Sequence, residues 1–320
     1  MNRFACKGCG KRFGVDHRVK PESLWVRHLD GASFRSLGNQ EGMTGVGVFK
    51  RVLCEMDLLP DNTRLTLDTC NRWSGILNVD GKHVAVKGYE RKIPFIYCLD
   101  FLKHDIPVGV LAPSENGEAF LKLFRLLKTV GYPLQVVICD DTSALKPALF
   151  HYFPKAKVQL CHTHYLENIR QTVQFRTQET YRHFFHSLVK HVFEEPKDEQ
   201  QRDLGLQHVW DTHAKDNLLL QTILLDVENR RGELFCYQTI SRCPKTNNII
   251  ESFNSHLQGR LKTIKGFQSF HSADRWLNAW MLRRRTKPFT DCEAPFTHLN
   301  GKTSLSQTTK KGTSAPSFYL

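Results

Sequence analysis

The chain is organised around an apolar run that ends in two carboxylates, Leu134-Gln135-Val136-Val137-Ile138-Cys139-Asp140-Asp141. Apolar residues at successive positions predict a strand that is buried on both faces, as in a parallel sheet. In α/β sheets, ligand sites lie at the carboxyl ends of such strands. Asp140 is therefore a candidate functional carboxylate, with Asp141 as its main rival.

Strand and helix patterns alternate around this run. Residues 76–81 predict a strand that ends at Asp80. The other predicted elements are strands at 94–99, 107–111 and 158–161 and helices at 114–130 and 143–153. Three strands, then helix, strand, helix and strand, predict an α/β layer that begins with an antiparallel meander. Asp100 and Asp105 flank a turn and are expected to face solvent.

The composition is strongly basic. The 320 residues include 45 Lys and Arg against 32 Asp and Glu, which gives a formal net charge of +13. Such an excess is typical of proteins that bind nucleic acid or an anionic membrane surface. The sequence has no apolar run near the roughly 20 residues of a membrane helix and no apolar signal region at its start. We therefore expect a cytoplasmic, nucleoid-associated protein without a membrane partner.

The first residues contain half of a metal-binding pattern. Cys6 and Cys9 form a Cys-x-x-Cys-Gly motif, which is one knuckle of a zinc ribbon. A structural zinc site needs four ligands, and His17 supplies at most a third. Residues 1–20 are either a partial ribbon whose other cysteine pair lies upstream or a basic arm that binds no metal. Zinc is not expected with this ligand count.

Residues 21–62 predict a small helical domain. Two short helices joined by a tight turn favour a helix-turn-helix, whose second helix would enter the DNA major groove. Lys50 and Arg51 on the last helix suit contacts with phosphates. The alternative is a three-helix packing unit without a DNA contact. Residues 60–72 are interpreted as a linker.

The C-terminal third contains a predicted helix at 246–262 with Glu251 beside its apolar stripe, followed by basic residues. The candidate DNA contacts are Arg260, Lys262, Lys265, Arg283, Arg284 and Arg285. The alternative is a solvated helix face. The polar segment 288–320 is predicted to be a disordered tail.

Asp80, Asp140 and Glu251 together would suit a divalent cation. Mg²⁺ and Mn²⁺ prefer carboxylate oxygens. Two such ions held about 3.5–4 Å apart can activate an attacking oxygen and stabilise the leaving one in phosphodiester cleavage. Each residue also has an ordinary explanation. Asp80 precedes a glycine and could be a turn residue, Asp140 could cap a helix, and Glu251 could be a solvated helix residue.

Four motifs follow one another within residues 22–287. They are Leu77-Asn78-Val79-Asp80-Gly81-Lys82, Val137-Ile138-Cys139-Asp140-Asp141, Gln159-Leu160-Cys161-His162-Thr163-His164 and Thr246-Asn247-Asn248-Ile249-Ile250-Glu251-Ser252-Phe253-Asn254. In this order they resemble the mutator-like DDE transposases of prokaryotic insertion sequences. None of the four would be specific alone.

The resemblance implies a ribonuclease-H-like catalytic domain over residues 70–287, with an all-helical insertion at about 165–240. It implies that Asp80, Asp140 and Glu251 are catalytic and hold two Mg²⁺ or Mn²⁺ ions. The implied reaction is cleavage at the element ends, followed by attack of the freed 3′-hydroxyl on target DNA. The implied partners are double-stranded DNA and further copies of the chain assembled on it.

Cys161 and His164 match the Cys-x-x-His signature that follows the second aspartate in this family. Two ligands do not make a zinc site, so we favour a structural role for the pair at a strand-to-helix junction.

Three functions stay open. The first is an active transposase, and the second is a catalytically dead remnant that acts only as a DNA-binding protein. The third is a nuclease that cuts DNA without joining ends.

Overall fold

The chain divides into two units between Leu59 and Pro60. The predicted partial zinc ligands Cys6, Cys9 and His17 lie outside the described part of the chain. The computed structural model describes residues 3–5, 8, 12–14 and 22–313.

Three helices form in the first unit where the sequence predicts them. The elements of this unit are β1 (Arg3–Ala5) paired with β2 (Arg12–Gly14), then α1 (Leu24–Leu29), α2 (Phe34–Glu41) and α3 (Gly45–Asp57). The side chains of Ser33 and Thr44 accept backbone N–H bonds at the starts of α2 and α3. Gly42 ends α2 with φ 65°, a conformation that glycine adopts without strain. DNA binding by this helical unit stays a prediction.

A five-stranded mixed sheet forms the centre of the second unit, in the order β5-β4-β3-β6-β7. Its strands are β3 (Ile76–Val84), β4 (Ile93–Asp100), β5 (Gly109–Leu111), β6 (Val136–Cys139) and β7 (Lys157–Leu160). Strands β3 to β5 are antiparallel, whereas β6 and β7 run parallel to β3. All residues of β6 are buried, so the predicted α/β layer with a buried central strand is confirmed.

Strand β3 is longer than the sequence predicts. We expected it to end at Asp80, but it continues to Val84, because β4 pairs with it as far as that residue. Its parallel pairing with β6 stops earlier, at Asn78 opposite Ile138. Asp80 therefore lies just beyond the end of the shorter neighbouring strand, inside β3.

Helices cover one face of the sheet. They include α5 (Gly117–Thr129) and α6 (Leu145–Tyr152), whose apolar side chains share one core with that face of β3, β4, β6 and β7. Asn116 caps α5 by accepting the Ala119 N–H bond. On the other face, Val136 and Ile138 pack with Cys236 and Cys243.

A long helical segment follows β7. It contains α7 (His162–Thr172), α8 (Glu179–Leu188), α9 (Glu199–Val209), α10 (Leu218–Asn229) and α11 (Arg231–Leu234), with π-helices at Val189–Glu194 and Trp210–Ala214. Its apolar residues join the same core as α5 and α6. The sequence predicts this helical content, and the interpretation as a family insertion stays a prediction. Helices α12 (Asn248–Ile264) and α13 (Phe270–Thr286) come next.

The predicted linker at 60–72 is wrong, because most of it forms helix α4 (Asn62–Thr69). Asp61 caps this helix by accepting the Arg64 N–H bond at 2.9 Å. Asn62 is fully buried and donates to the carbonyls of Ile106 and Pro107. The segment therefore belongs to the second unit.

Residues 288–313 are structured, unlike the disordered tail predicted for 288–320. Its helical turns are Thr297–Leu299 and α14 (Ser304–Thr308). The hydroxyl of Thr308 donates to Asp105 Oδ2 at 2.5 Å, and that of Ser304 donates to Asp105 Oδ1 at 2.9 Å. The polar composition predicts that this segment is exposed to solvent, but Ser304 and Thr308 are buried because they donate to the buried Asp105 carboxylate.

The expectation that Asp100 and Asp105 face solvent is also wrong, because both are fully buried. Asp100 accepts bonds from the Ser74 backbone and hydroxyl at 2.7 and 2.8 Å and from the Tyr132 hydroxyl at 2.9 Å. Asp105 forms an ion pair with Arg285. Each carboxylate is tolerated inside because donors surround it.

Among the residues that the structure describes, no helix combines the length and the apolar character needed to cross a membrane.

Candidate active site

Two aspartates lie side by side at one edge of the parallel part of the sheet. Asn78 of β3 pairs with Ile138 of β6, and Asp80 and Asp140 each follow two residues later. Because the two strands run in the same direction, equal offsets place these residues next to each other. The sheet register thus brings together two of the three predicted carboxylates.

Glu251 comes from the first turn of α12, which packs against β3. Asn247, just before that helix, fixes its start. The Asn247 side chain donates to the Val79 carbonyl at 3.2 Å and accepts from Asn78 Nδ2 at 2.6 Å. Its backbone N–H donates to Cys161 Sγ at 3.3 Å. These bonds tie the start of α12 to β3 and to the start of α7.

His164 lies between the second and third carboxylates. Its Nδ1 atom is 2.7 Å from Asp140 Oδ1 and 3.7 Å from Glu251 Oε1. The same nitrogen is aligned for a hydrogen bond with Cys161 Sγ at 3.4 Å. Both carboxylate oxygens are buried, and neither accepts a hydrogen bond. Asp140 Oδ1 is therefore close to the nitrogen without being paired to it in hydrogen-bond geometry.

Asp80 has a donor on each oxygen. Its Oδ1 accepts the Gly81 N–H bond at 2.7 Å, and its Oδ2 accepts from Asn254 Nδ2 at 2.6 Å. Asn254 lies one helical turn after Glu251 on α12 and accepts the hydroxyl bond of the fully buried Tyr97 at 3.0 Å. A carboxylate accepts only, so the amide nitrogen faces Asp80 and the amide oxygen faces Tyr97.

The electrostatics of the site reflect crowding of buried acids. Burial raises the pKa of Asp80 to about 7, and the charges of Asp140 and Glu251 raise it further, while the Gly81 N–H bond and His164 oppose the shift. Burial also raises the pKa of Asp140, with His164 opposing and Glu251 reinforcing. Asp80 and Asp140 thus each sense a neighbouring carboxylate through a poorly solvated space.

This set of side chains fits a divalent cation. Buried oxygens without donors on Asp140 and Glu251 are unfavourable unless a cation or a proton satisfies them. A positive ion would also relieve the repulsion that raises the pKa of Asp80. The unpaired oxygens of Asp140 and Glu251 therefore suit a cation, although among the described residues the ligand atoms that lie within 4.8 Å of one another are those of Asp140, Cys161 and His164.

Sequence reasoning missed three supporting residues, Asn247, Asn254 and Tyr97. A signal for Asn254 was present, since a residue three positions after Glu251 on a helix lies on the same face. No local signal marked Tyr97, which is distant in sequence and acts through its position opposite Asp80 in β4. The predicted structural position of Cys161 and His164 at a strand-to-helix junction matches the start of α7.

Some of the predicted DNA contacts are exposed and others are buried. Lys50, Arg51, Lys262 and Lys265 are exposed, and the Arg51 side chain lies 3.6 Å from that of Glu55. Arg260 is half-buried on α12.

Arg285 is wrong as a DNA contact. It is fully buried on α13, where its guanidinium bonds to Asp105, Asn62 and Thr66 at 2.7–2.8 Å. Arg283 is also buried, at 8% exposure, so its side chain offers little surface to a phosphate. Arg284 is half-buried, with its guanidinium 4.4 Å from the Phe253 ring centre.

Comparison with known proteins identifies the class. Residues 104–287 match the family described as Transposase, Mutator family, and this match covers more than half of the chain. The chain therefore belongs to the Mutator family of transposases.

A curated relative, the transposase for insertion sequence element IS1201 of Lactobacillus helveticus, is 21% identical over 172 residues. The alignment covers 52% of this chain and 44% of that relative, so the chain spans less than half of its length. Together with the family match, it supports a mutator-like transposase of an insertion sequence.

Among solved structures, the Drosophila P element transposase strand transfer complex aligns with a TM-score of 0.50 and 8% sequence identity. The alignment covers 88% of this chain and 95% of that one. At this identity the likeness concerns the fold, which is shared at the level of the mixed α/β architecture.

Proposed function

We propose that this chain is an insertion-sequence transposase that cuts DNA at the ends of its element and joins them to target DNA in a metal-dependent reaction. The observation that supports the proposal is the equal offset of Asp80 and Asp140 beyond paired residues of β3 and β6, with Asp140 and Glu251 both beside His164. Membership of the Mutator family supports it. The five-stranded sheet with flanking helices and the shared fold with another transposase support a ribonuclease-H-like core.

Asp80, Asp140 and Glu251 are the residues that would hold the cations. Two Mg²⁺ or Mn²⁺ ions, when bound, would supply positive charge to the reacting phosphodiester. The protein side chains have other tasks. Asn254 and Tyr97 fix the Asp80 carboxylate, and the bonds of Asn247 fix the start of the helix that carries Glu251. Such rigid placement is what a reaction based on positioning needs.

DNA binding follows from charge. The chain has a net charge of +13, and exposed Lys262 and Lys265 lie on or just after the helix that carries Glu251. Cations near the proposed site would hold the phosphate backbone by releasing counterions. The first unit, with Lys50 and Arg51, is proposed as a helix-turn-helix that reads the element ends, and assembly of several copies on DNA would bring two ends together.

The test is cleavage of duplex DNA that contains the ends of the element from which the gene comes. We expect nicking with Mg²⁺ or Mn²⁺, none with EDTA, and a loss of at least about 10³-fold in Asp80→Ala, Asp140→Ala and Glu251→Ala. Asp216→Ala, which removes an exposed carboxylate from the helical segment, is the matched control and should nick at the normal rate.

Binding should survive in the inactive variants, because the cations that hold DNA are elsewhere. A chain that binds element ends but does not nick them would favour the non-catalytic DNA-binding function. Nicking without any joined product would favour a nuclease.

A further inference from the structure

Three different donor atoms meet at the second aspartate. Asp140, Cys161 and His164 each offer one ligand atom, and these atoms lie within 4.8 Å of one another. The Glu251 Oε1 atom lies 3.7 Å from His164 Nδ1, beside this group but not within 4.8 Å of all its members. The set consists of one carboxylate oxygen, one imidazole nitrogen and one sulfur.

These donors differ from what Mg²⁺ selects. Mg²⁺ is a hard ion that takes oxygen ligands and keeps several waters. Imidazole and thiolate suit Zn²⁺ and related transition ions, which bind four such donors tetrahedrally. The sulfur and nitrogen therefore favour a second kind of ion at a place that overlaps with the carboxylates.

The distances are compatible with this geometry. Around a tetrahedral zinc ion with bonds of about 2.0–2.3 Å, neighbouring donors lie roughly 3.3–3.6 Å apart. His164 Nδ1 is 3.4 Å from Cys161 Sγ and 3.7 Å from Glu251 Oε1. Its distance to Asp140 Oδ1, 2.7 Å, is shorter and would open by about half an ångström on binding.

Two further features point to a ligand. Asp140 Oδ1, a member of the group, and the neighbouring Glu251 Oε1 are both buried without a hydrogen-bond donor. Burial raises the pKa of the Cys161 thiol, while the backbone N–H of Asn247, which donates to Sγ at 3.3 Å, favours the thiolate that binds metal.

We propose that Asp140, Cys161 and His164 form a binding site for Zn²⁺ or a chemically similar transition ion, and that an ion bound there, next to Glu251, competes with Mg²⁺ for the carboxylates and switches off DNA cleavage. The binding step does not depend on the proposed function. The switching step rests on it, because it requires that Asp140 and Glu251 serve the reaction.

Cobalt(II) absorption tests the binding step on the full chain. Thiolate-bound Co²⁺ has a charge-transfer band that oxygen and nitrogen ligands do not give. Cys6 and Cys9 are changed to serine throughout, so that the N-terminal cysteines do not contribute. We expect the band with one equivalent of Co²⁺, its loss when Zn²⁺ is added, and its absence after Cys161→Ser.

Cys98→Ser is the matched control, since Cys98 is a buried cysteine of β4 that packs in the core with α5 and α6, on the other side of the sheet from Asp140, and should leave the band unchanged. His164→Gln, measured by titration calorimetry, provides a second variant that keeps the sulfur and should weaken Zn²⁺ binding at least about tenfold. If Cys161→Ser does not fold, this variant decides the question.

The proposal is overturned if the parent protein gives no thiolate band, if Cys161→Ser keeps it, or if His164→Gln binds Zn²⁺ as tightly as the parent. Cys161 would then only join α7 to α12 through its bond from Asn247.

The switching step is measured as the ratio of Mg²⁺-dependent nicking with and without Zn²⁺ within each variant. The Zn²⁺ concentration for half inhibition should rise at least about tenfold in His164→Gln. If the parent chain never nicks DNA, the proposed function is contradicted, and the cobalt result still shows whether the metal site exists. A chain that nicks but shows no thiolate band keeps the function and removes the site.

Discussion

The second unit contains two kinds of buried carboxylate. Asp105 is surrounded by donors, since its oxygens accept two bonds from Arg285 and one each from Ser304 and Thr308. At the candidate active site, by contrast, Asp140 has an oxygen to which no group donates. The first arrangement is complete within the protein, whereas the second leaves one buried carboxylate oxygen without a hydrogen-bond donor. Both carboxylates are buried, so the number of hydrogen-bond donors around each one, rather than its burial, distinguishes a structural carboxylate from a candidate ligand.

The largest expected effect comes from breaking the complete arrangement. Arg285→Ala leaves Asp105 charged and buried with half of its donors, which should lower the free energy of unfolding by about 3–5 kcal/mol. The melting temperature should fall by roughly 6–20 °C. Arg64→Ala, which removes an arginine from an exposed ion pair with Asp68, should cost about 0.5 kcal/mol or less. Equal melting temperatures for the two variants in scanning calorimetry would contradict this account.

The next effect concerns the pH dependence of stability in EDTA. Because burial raises the pKa of Asp80 to about 7, this carboxyl keeps its proton in the fold while the unfolded chain loses it above about pH 4. The folded protein then binds more protons, so the contribution of Asp80 to stability is full below pH 4 and is lost as the pH rises to 7 and above.

Wild-type stability should therefore fall relative to that of Asp80→Ala between pH 4 and pH 8, by about 1–3 kcal/mol. The difference between the two denaturation profiles isolates this residue from other titrating groups. Addition of Mn²⁺ at pH 8 should raise the stability of the wild type more than that of the variant. Parallel profiles would show that Asp80 is not held in a poorly solvated site.

A smaller effect is expected from the residues that position Asp80. In Tyr97→Phe, the Asn254 amide loses the bond that fixes its orientation, and it can turn its oxygen toward the carboxylate. We expect a rise of about tenfold in the Mg²⁺ concentration needed for half-maximal nicking. Tyr132→Phe is the matched control, because this buried tyrosine donates to the well-surrounded Asp100 instead. A similar change in both variants would indicate a general loss of packing.

The smallest effect is expected from exposed lysines near the end of α12. Lys262→Gln with Lys265→Gln should reduce the slope of DNA affinity against salt concentration by about 2, because each phosphate contact contributes roughly 0.9. The control, Lys190→Gln with Lys215→Gln, removes two exposed lysines of the helical segment that are close to Glu195 and Asp211. Equal slopes for the two double variants, measured by fluorescence anisotropy, would show that the lysines at and just after the end of α12 do not contact DNA.

Sequence alone predicted the elements whose signals are local. The apolar run before Asp140 predicted the buried strand β6, and the helical spacing of apolar residues beside Glu251 predicted helix α12. Asp80 was predicted to end its strand, but β3 continues past it because β4 pairs with β3 as far as Val84. Register between strands depends on partners that a single strand does not encode.

The buried pair of Asp105 and Arg285 could not be predicted in the same way. An aspartate near a turn and an arginine in a basic run both have the local pattern of surface residues. Their burial depends on a contact between residues 180 positions apart. The same holds for the segment after α13, where Thr308 is polar in sequence but buried by its bond to Asp105.

The hydrogen bond between Thr308 and Asp105 has a consequence for synthesis. These residues are 203 positions apart, so the ribosome must add that length of chain before the last donor to Asp105 exists. Helix α4, near the start of the unit, bonds to the same arginine, and the backbone of Asn71 donates to the Thr308 carbonyl. The two ends of the unit are thus joined only when translation has passed α14, and we expect a nascent chain stopped before that helix to remain sensitive to protease around residue 105.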